Sequence, residues 1–359
     1  MENFNKKCNQ FYLSHSKIDV LFKPTKDDFV VSEEPLYDFS GEGDHLVVKF
    51  RKKDLTSWDA FAIFSNTLGC NQRDIGYAGL KDKNAMTIQY ITIPKSYETK
   101  LKTFEHKNIK ILDTTYHNNK LKIGHLKGNR FFIRLKMVNT IDSRKLEQVI
   151  KTICDFGIPN YFGVQRFGID GNNHKRGQAI LEGKLKERKK SLKQMYINSY
   201  QSYLFNLWLS KRVEISKLID SFEANDIYDR LNIPLDILKS IKKQPHLFKL
   251  LPGDIMNHYP FGKIFTVEDL NIESNRFFER DIVPTGLLIG EKVKNSIGLA
   301  YEYEKKFTKN VSINGTRRFA WVFPSNMKSE YKDDKKHFEL EFFLPKGSYA
   351  TALISELIH

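Results

Sequence analysis

Three short runs of β-branched and aromatic residues mark the first part of the chain: "DDFVVSEE", "HLVVKF" and "TIQYITI". Each predicts a strand, being too short for a helix and rich in strand formers. Between the last two, "LTSWDAFAIFSNTLGC" predicts a helix. Thr56 and Asp59 have capping-box spacing, Trp58, Phe61, Ala62 and Leu68 share an apolar face, and Gly69 is the stop. "NRFFIRLKMV" predicts a further strand. "DSRKLEQVIKTICDFG" then places Leu146, Val149, Ile150 and Ile153 on one helical face that ends at Gly157.

After Gly157 the pattern changes. "IPNYFGVQRFGIDGNNHKRG" is rich in Gly, Asn and aromatics, the composition of a junction. Residues 178–241 read as largely helical, with Tyr200, Tyr203, Leu204, Leu207 and Trp208 at helical spacing, a stripe that suits a core. "KLKERKKSLK", Lys184 to Lys193, reads as a solvated helix face or a surface that tracks phosphates. Residues 251–318 are mixed, with turn signals at "LPGD", "HYPFGK" and "VPTG". The last segment, "HFELEFFLPKGSYATALISELIH", alternates Phe338, Leu340 and Phe342 with Glu339 and Glu341. It predicts a half-buried strand, a turn and a short helix. Such a strand could complete the N-terminal sheet, which would make the middle of the chain an insertion.

Charge adds a direction. The 359 residues carry 58 Lys plus Arg against 43 Asp plus Glu, a net charge of +15. That excess fits a polyanionic partner, and it equally fits an ordinary basic protein. The 27 Phe and 16 Tyr supply faces on which unpaired bases stack, although most must build the core. Three scattered cysteines, Cys8, Cys70 and Cys154, with no CxxC, exclude a disulfide framework and a cysteine zinc site. The first twenty residues show no signal-peptide core, and no apolar run reaches membrane-spanning length. A reduced, cytoplasmic protein with no membrane contact is the expectation.

Familiar cofactor and metal signatures are missing: there is no HExxH and no GxSxG, and "GLLIGEK" lacks P-loop spacing. A site with no metal and no cofactor is the simpler expectation. Asp82, flanked by Lys81 and Lys83 in "AGLKDKNAMTIQ", is either a charged turn or a carboxylate held ionised for chemistry. In "GHLKGNRFFIRL", Asn129 and Phe131 alternate onto one face if the segment is a strand. An amide and a ring suit a nucleobase edge and plane; a loop Asn and a core Phe explain them equally.

Taken together, "GYAGLKDKNAMTIQY", "HLKGNRFFIRL", "GIPNYFGVQRFG" and "LPKGSYATALISEL", in this order and preceded by "KPTKDDFVVSE", resemble the TruD family of tRNA pseudouridine synthases. The resemblance runs from about Phe22 to Leu357 and is weaker through Lys184–Lys249. It implies an α+β fold: a pseudouridine-synthase catalytic domain with a mixed, largely antiparallel sheet, residues 1–156 and 321–359, plus an inserted α/β domain, residues 157–320. It implies a cofactor-free isomerase acting on tRNA, typically at uridine 13, and a monomer without an obligate protein partner. Asp82 fills the position of the nucleophile. Asn129 and Phe131 fill positions beside the target base, Phe29 a substrate-contacting position, and Lys23 that of a basic residue near the aspartate. Tyr349 stands where the family carries Phe, which keeps the ring and adds a hydroxyl. Arg166, Arg188 and Lys189 are candidate contacts to the RNA backbone. The rivals are a non-catalytic RNA-binding protein or RNA chaperone on the same scaffold, and a metal-dependent nuclease. Charge and aromatic content fit all of these; the motif set separates them.

Overall fold

The computed structural model describes residues 10–23, 25–81, 83 and 85–359. The chain first lays down strands β1 (Phe29–Pro35), β2 (His45–Lys52), β3 (Gly76–Tyr77), β4 (Met86–Pro94), β5 (Ile109–His117) and β6 (Leu126–Lys136). Helix α1 (Ser57–Leu68) follows β2 and helix α2 (Thr140–Phe156) follows β6. Helix α1 starts as its sequence dictates. The Thr56 side chain accepts from the Asp59 main-chain N–H, the Asp59 carboxylate accepts from the Thr56 N–H at 2.8 Å, and Gly69 closes the helix at φ 71°.

The face that α1 buries is rotated from the one expected: Phe61 and Leu68 are buried as expected, and Trp58 is not. Ser57, Phe61, Phe64 and Leu68 face inward, and Trp58 is 51% exposed. The inward stripe packs on Val48, Phe50, Ile91 and Ile93 of the sheet, with Phe64 edge-on to Phe50 at 5.0 Å and stacked on Phe104 at 4.6 Å. Fully burying one such ring stabilises by roughly 1.5–3 kcal/mol. Trp58 instead meets the edges of Phe61 and Tyr77 from outside.

The middle of the chain builds a second compact unit. Its long helix α3 (Lys190–Ser221) is buried around most of its girth, not along one stripe. The cause is packing on two sides, against Asn173–Leu181 and against the strand Ile282–Leu288. Two long polar side chains on α3 are tied down: Arg212 holds Asp254 bidentately at 2.6 and 2.8 Å, and Gln201 donates to the carbonyls of Ile289 and Asn314. Strands β8 (Ile255–His258), β9 (Ile264–Thr266), β10 (Ile282–Leu288) and β11 (Thr316–Phe319) form an antiparallel sheet ordered β11-β10-β8-β9. A ribbon pairs β7 (Ile158–Pro159) with β12 (Trp321–Val322). The basic run predicted as a helix face lies mostly in the loop that leads into α3, which begins only at Lys190.

The chain then returns. Strands β13 (Ser325–Lys332) and β14 (His337–Pro345) join the first sheet, and helix α4 (Ala350–Ile358) follows. The resulting eight-stranded sheet runs β13-β14-β6-β1-β4-β2-β5, with β3 attached to β4. Among the described residues, only the β1–β4 pair of this sheet is parallel. The C-terminal strand does complete the N-terminal sheet: β14 pairs with β6 from His337↔Lys136 to Pro345↔Gly128. The fold is therefore α+β around a mixed, largely antiparallel sheet. By compactness, one unit holds Ile18–Gln148 with Pro324–Gly347, and the other holds the described part of Met1–Lys17 with Val149–Phe323 and Ser348–His359. Among the described residues, no helix is long and apolar enough to cross a membrane.

Candidate active site

The register of the large sheet gathers the candidate residues of the first unit. Cross-strand partners point to the same face. Phe131 on β6 lies opposite Val31 on β1 and Phe342 on β14, and Asn129 lies opposite Glu33 and Leu344. Phe29, two residues before Val31, therefore shares their face. The rings form a row: Phe131 stacks with Phe342 at 5.3 Å and with Phe29 at 6.1 Å, while Phe22 meets Phe29 edge-on. A cavity of about 360 Å³ opens beside this row, lined by Arg130, Phe131, Lys328 and Phe342 among others. The start of β1 is pinned by Asp28, which takes Lys136 at 2.7 Å and the Thr25 hydroxyl at 2.8 Å.

The same face is polar beside the rings, which is costly unless something pairs with it. Thr87 and Gln89 on β4 are buried, as are Glu33 on β1 and Lys52 on β2. Asn129 Oδ1, Thr87 Oγ1 and Gln89 Nε2 are buried with no hydrogen-bond partner among the described residues. Native structures rarely leave such atoms orphaned, so this cluster is a place for a ligand or ordered water. Gly128, next to Asn129, has no room for a side chain, because a Cβ would run into the Leu344 carbonyl and the Phe343 ring.

Asp82 lies outside the described residues. Its neighbour Lys81 is held on three sides. The Lys81 N–H donates to Ser57 Oγ at 2.8 Å, its carbonyl lies 3.5 Å from Lys52 Nζ, and its ammonium reaches Glu33 Oε2 at 2.9 Å with both side chains almost fully buried. Burial pushes the Glu33 carboxyl up, against the pull of the Lys81 ammonium. Lys81 is thus engaged by Glu33 and is not simply a free charge beside Asp82. Lys83 is exposed. Lys23 is exposed too, and no ion pair to a described residue holds it.

Tyr349 belongs to the second unit. There its ring sits 5.9 Å from Phe162, and the Arg318 guanidinium lies over Phe162 at 3.9 Å and over Tyr349 at 5.9 Å. Arg318 is braced on the carbonyl and side-chain oxygens of Asn160, and Asn206 grips the Phe162 main chain in both directions. Burial pushes the Arg318 guanidinium down to about 10. Arg166 also stacks on Phe162, at 5.1 Å, whereas Arg188 and Lys189 are exposed in the loop before α3. Among the described residues, no group of three or more His, Cys, Asp or Glu side chains could hold a metal ion.

The model of the family described as tRNA pseudouridine synthase D (TruD) matches residues 7–188 and 185–357. This chain belongs to the TruD family. A TruD relative from Nitratiruptor sp., named tRNA pseudouridine synthase D, is 54% identical over 350 residues, 97% of each chain. A relative of the same name from Sulfurimonas denitrificans is 51% identical across 97% of this chain and 98% of its own. The crystal structure of a Methanosarcina mazei protein described as a candidate TruD superposes with a TM-score of 0.70, covering 98% of this chain and 96% of that one at 22% identity, which shows a shared fold. Lys52, Ser57, Thr87, Gln89 and Glu33 are further candidates on this face that motif reading missed. The available signal was polarity at positions whose spacing demands burial: Ser57 in the Phe61–Phe64–Leu68 stripe, and Thr87 and Gln89 in alternation with β-branched neighbours.

Proposed function

We propose that the chain is a tRNA pseudouridine synthase that isomerises uridine 13 and uses Asp82 as its nucleophile. The observation that carries this reading is the shared sheet face. It presents the amide of Asn129 with an orphaned oxygen, the rings of Phe131 and Phe29, and the anchored residue that precedes Asp82. A uridine flipped out of its stack could lay its plane against the ring row and its edge against the Asn129 amide.

The reaction breaks the C1′–N1 bond, turns the uracil, and forms a C1′–C5 bond. The C5 proton is then lost and N1 gains one, so atoms balance without oxidant, reductant or cofactor. Ionised Asp82 starts glycosidic cleavage by one of two routes: addition to the sugar or base, or removal of a sugar proton to give a glycal. Asn129 orients the base, Phe131 and Phe29 exclude water around it, and Tyr349 supplies the ring of the family's last site position. Lys23 is the basic residue expected near Asp82, and Arg166, Arg188 and Lys189 contact the RNA backbone. The proposed catalytic domain is residues 1–156 with 321–359, and the proposed insertion is residues 157–320. By compactness alone, Tyr349 groups with the insertion. The protein is proposed to act in the cytoplasm as a monomer with tRNA as its partner.

Pseudouridine mapping of total tRNA tests this. Deletion cells should lose the modification at one D-arm uridine, wild type should restore it, and Asp82→Asn should not, although purified Asp82→Asn still binds tRNA. Restoration by Asp82→Asn would favour the RNA-chaperone reading instead.

A further inference from the structure

Two arginines of the second unit lie against one ring, that of Phe162. The Arg318 guanidinium is 3.9 Å from the ring centroid and the Arg166 guanidinium 5.1 Å. Among the described residues, neither has a carboxylate partner, and in this they differ from other arginines buried in the same unit. Arg212 holds Asp254 at 2.6 Å. Arg317, next to Arg318 on β11, holds Glu304 with both of its terminal nitrogens at 3.0 Å. An aromatic face attracts a cation and leaves its charge uncancelled. Burial pushes Arg318 down to about 10, and the Arg166 charge pushes the same way. Two partly buried cations that repel each other are costly unless negative charge compensates them.

The donors of the pair are only partly used. Arg318 Nε and Nη2 donate to the Asn160 carbonyl, and Nη2 donates to Asn160 Oδ1 at 2.9 Å. Arg318 Nη1 makes no hydrogen bond to a described residue. Arg166 Nε is buried without a hydrogen-bond partner among the described residues, and so is Ser348 Oγ beside Tyr349. Both arginines nevertheless keep part of their surface in solvent. A guanidinium carries five donors in a rigid fork that fits the oxygens of a phosphate. The support around the pair is firm. Asn160 donates to the Phe319 carbonyl at 3.0 Å, and Asn206 grips the Phe162 N–H and carbonyl. Gly163 has no room for a Cβ, which would run into Thr351 Oγ1 and Gln165 Oε1.

We propose that Arg318 and Arg166 form an anion site that takes one phosphate group of the RNA backbone, with Arg318 as the hydrogen-bonding fork and Arg166 as the second charge. This rests on the reading that the chain acts on tRNA. It adds to that reading a residue outside the motif set, and it gives Arg166 a specific partner.

Equilibrium binding of unmodified tRNA over a range of salt tests it, with urea midpoints to show that each variant folds. Arg318→Gln should weaken binding about tenfold or more at fixed salt. Arg166→Gln should weaken it too. The double variant should weaken it by less than the product of the two single effects, because both arginines hold the same phosphate. Its slope of log affinity against log salt should shrink by about 0.7–0.9, the share of one phosphate. Arg318→Lys keeps the charge and loses the fork, so it should keep the slope and recover only part of the affinity. Wild-type affinity in the double variant overturns the proposal. So does weakened binding with an unchanged slope, the mark of an arginine that only braces Asn160. Fully multiplicative effects overturn it as well, by assigning the two arginines to separate contacts. If Arg318→Gln fails to fold, Arg318→Lys decides, and wild-type affinity there overturns the proposal. Pseudouridine formation by the wild type on the same tRNA separates the two claims. A wild type that neither binds nor modifies tRNA removes the functional reading and this inference together. A wild type that modifies tRNA, beside a double variant of wild-type affinity, removes this inference only.

Discussion

At the scale of single residues, the candidate face depends on a few side chains held to tight tolerances. Gly128 shows this best. It sits in β6 immediately before Asn129, where the Leu344 carbonyl and the Phe343 ring leave no space for a methyl group. Gly128→Ala should push β14 away from β6 and turn the Asn129 amide. Overpacking of this kind costs about 1–3 kcal/mol, so a lowered urea midpoint is expected together with slower single turnover. Unchanged midpoints in Gly128→Ala would mean that the strands separate more easily than their packing suggests. Phe131 acts differently, because its ring is already stacked between Phe29 and Phe342. Phe131→Ala opens the row and should lower turnover more than it lowers tRNA affinity, which a comparison of single-turnover rate with equilibrium binding would check.

At the scale of elements, most of the structure was legible and its orientation was not. The strands "HLVVKF" and "TIQYITI", the capped helix between them and the closing strand "HFELEFFL" all lie where their patterns put them. Helix α1 was read in the wrong rotation. Trp58 is the larger apolar residue, so periodicity alone turns it inward; the structure turns Ser57 inward, because that hydroxyl holds Lys81 and Gln89. A polar requirement of the site overrode the hydrophobic count. Thr87 and Gln89 went unread as candidates for a related reason: polar residues alternating with β-branched ones look like the solvent side of an ordinary strand. Asp82, Asn129 and Phe131 stand out as candidates only through the motif set, since a turn Asp and a core Phe have the same local chemistry. The cap of α1 is a test at this scale. Thr56→Ala removes one half of the capping box and should cost about 1 kcal/mol. Because α1 carries Ser57, turnover should fall as well, and a stability loss without any rate loss would separate the helix from the site.

At the scale of the whole molecule, charge and burial set the pH range. Burial pushes Glu356 up to about 7, although its carboxylate accepts from the main-chain N–H groups of Tyr12 and Leu13. A folded pKa above the unfolded one means that the folded state binds the proton more tightly. Its contribution is therefore complete below the ordinary carboxylate range and is lost as pH rises through about 7. Burial pushes His246 the other way, down to about 4, with Nδ1 accepting from the Phe248 N–H and Nε2 donating to the Phe156 carbonyl. Its contribution is lost as pH falls from the ordinary imidazole range through about 4. Glu356→Gln should flatten the alkaline side of the stability curve and leave the acid side alone. Urea midpoints of both proteins at pH 5 and pH 8 would show it, and equal pH dependence in the two would assign the alkaline loss to other groups.

The place of β14 has a consequence for how the protein is made. Strand β6 carries Asn129 and Phe131, and its second neighbour is β14, which follows the entire middle of the chain. At about 5–20 residues per second, a ribosome needs roughly ten to forty seconds to travel from the end of β6 to the end of β14. Throughout that interval β6 is an open edge lined with aromatic rings, the kind of surface that invites pairing with another chain. The middle of the sequence can fold while the sheet waits. On the nascent chain, the strand that carries Asn129 and Phe131 is thus the one that most needs a chaperone.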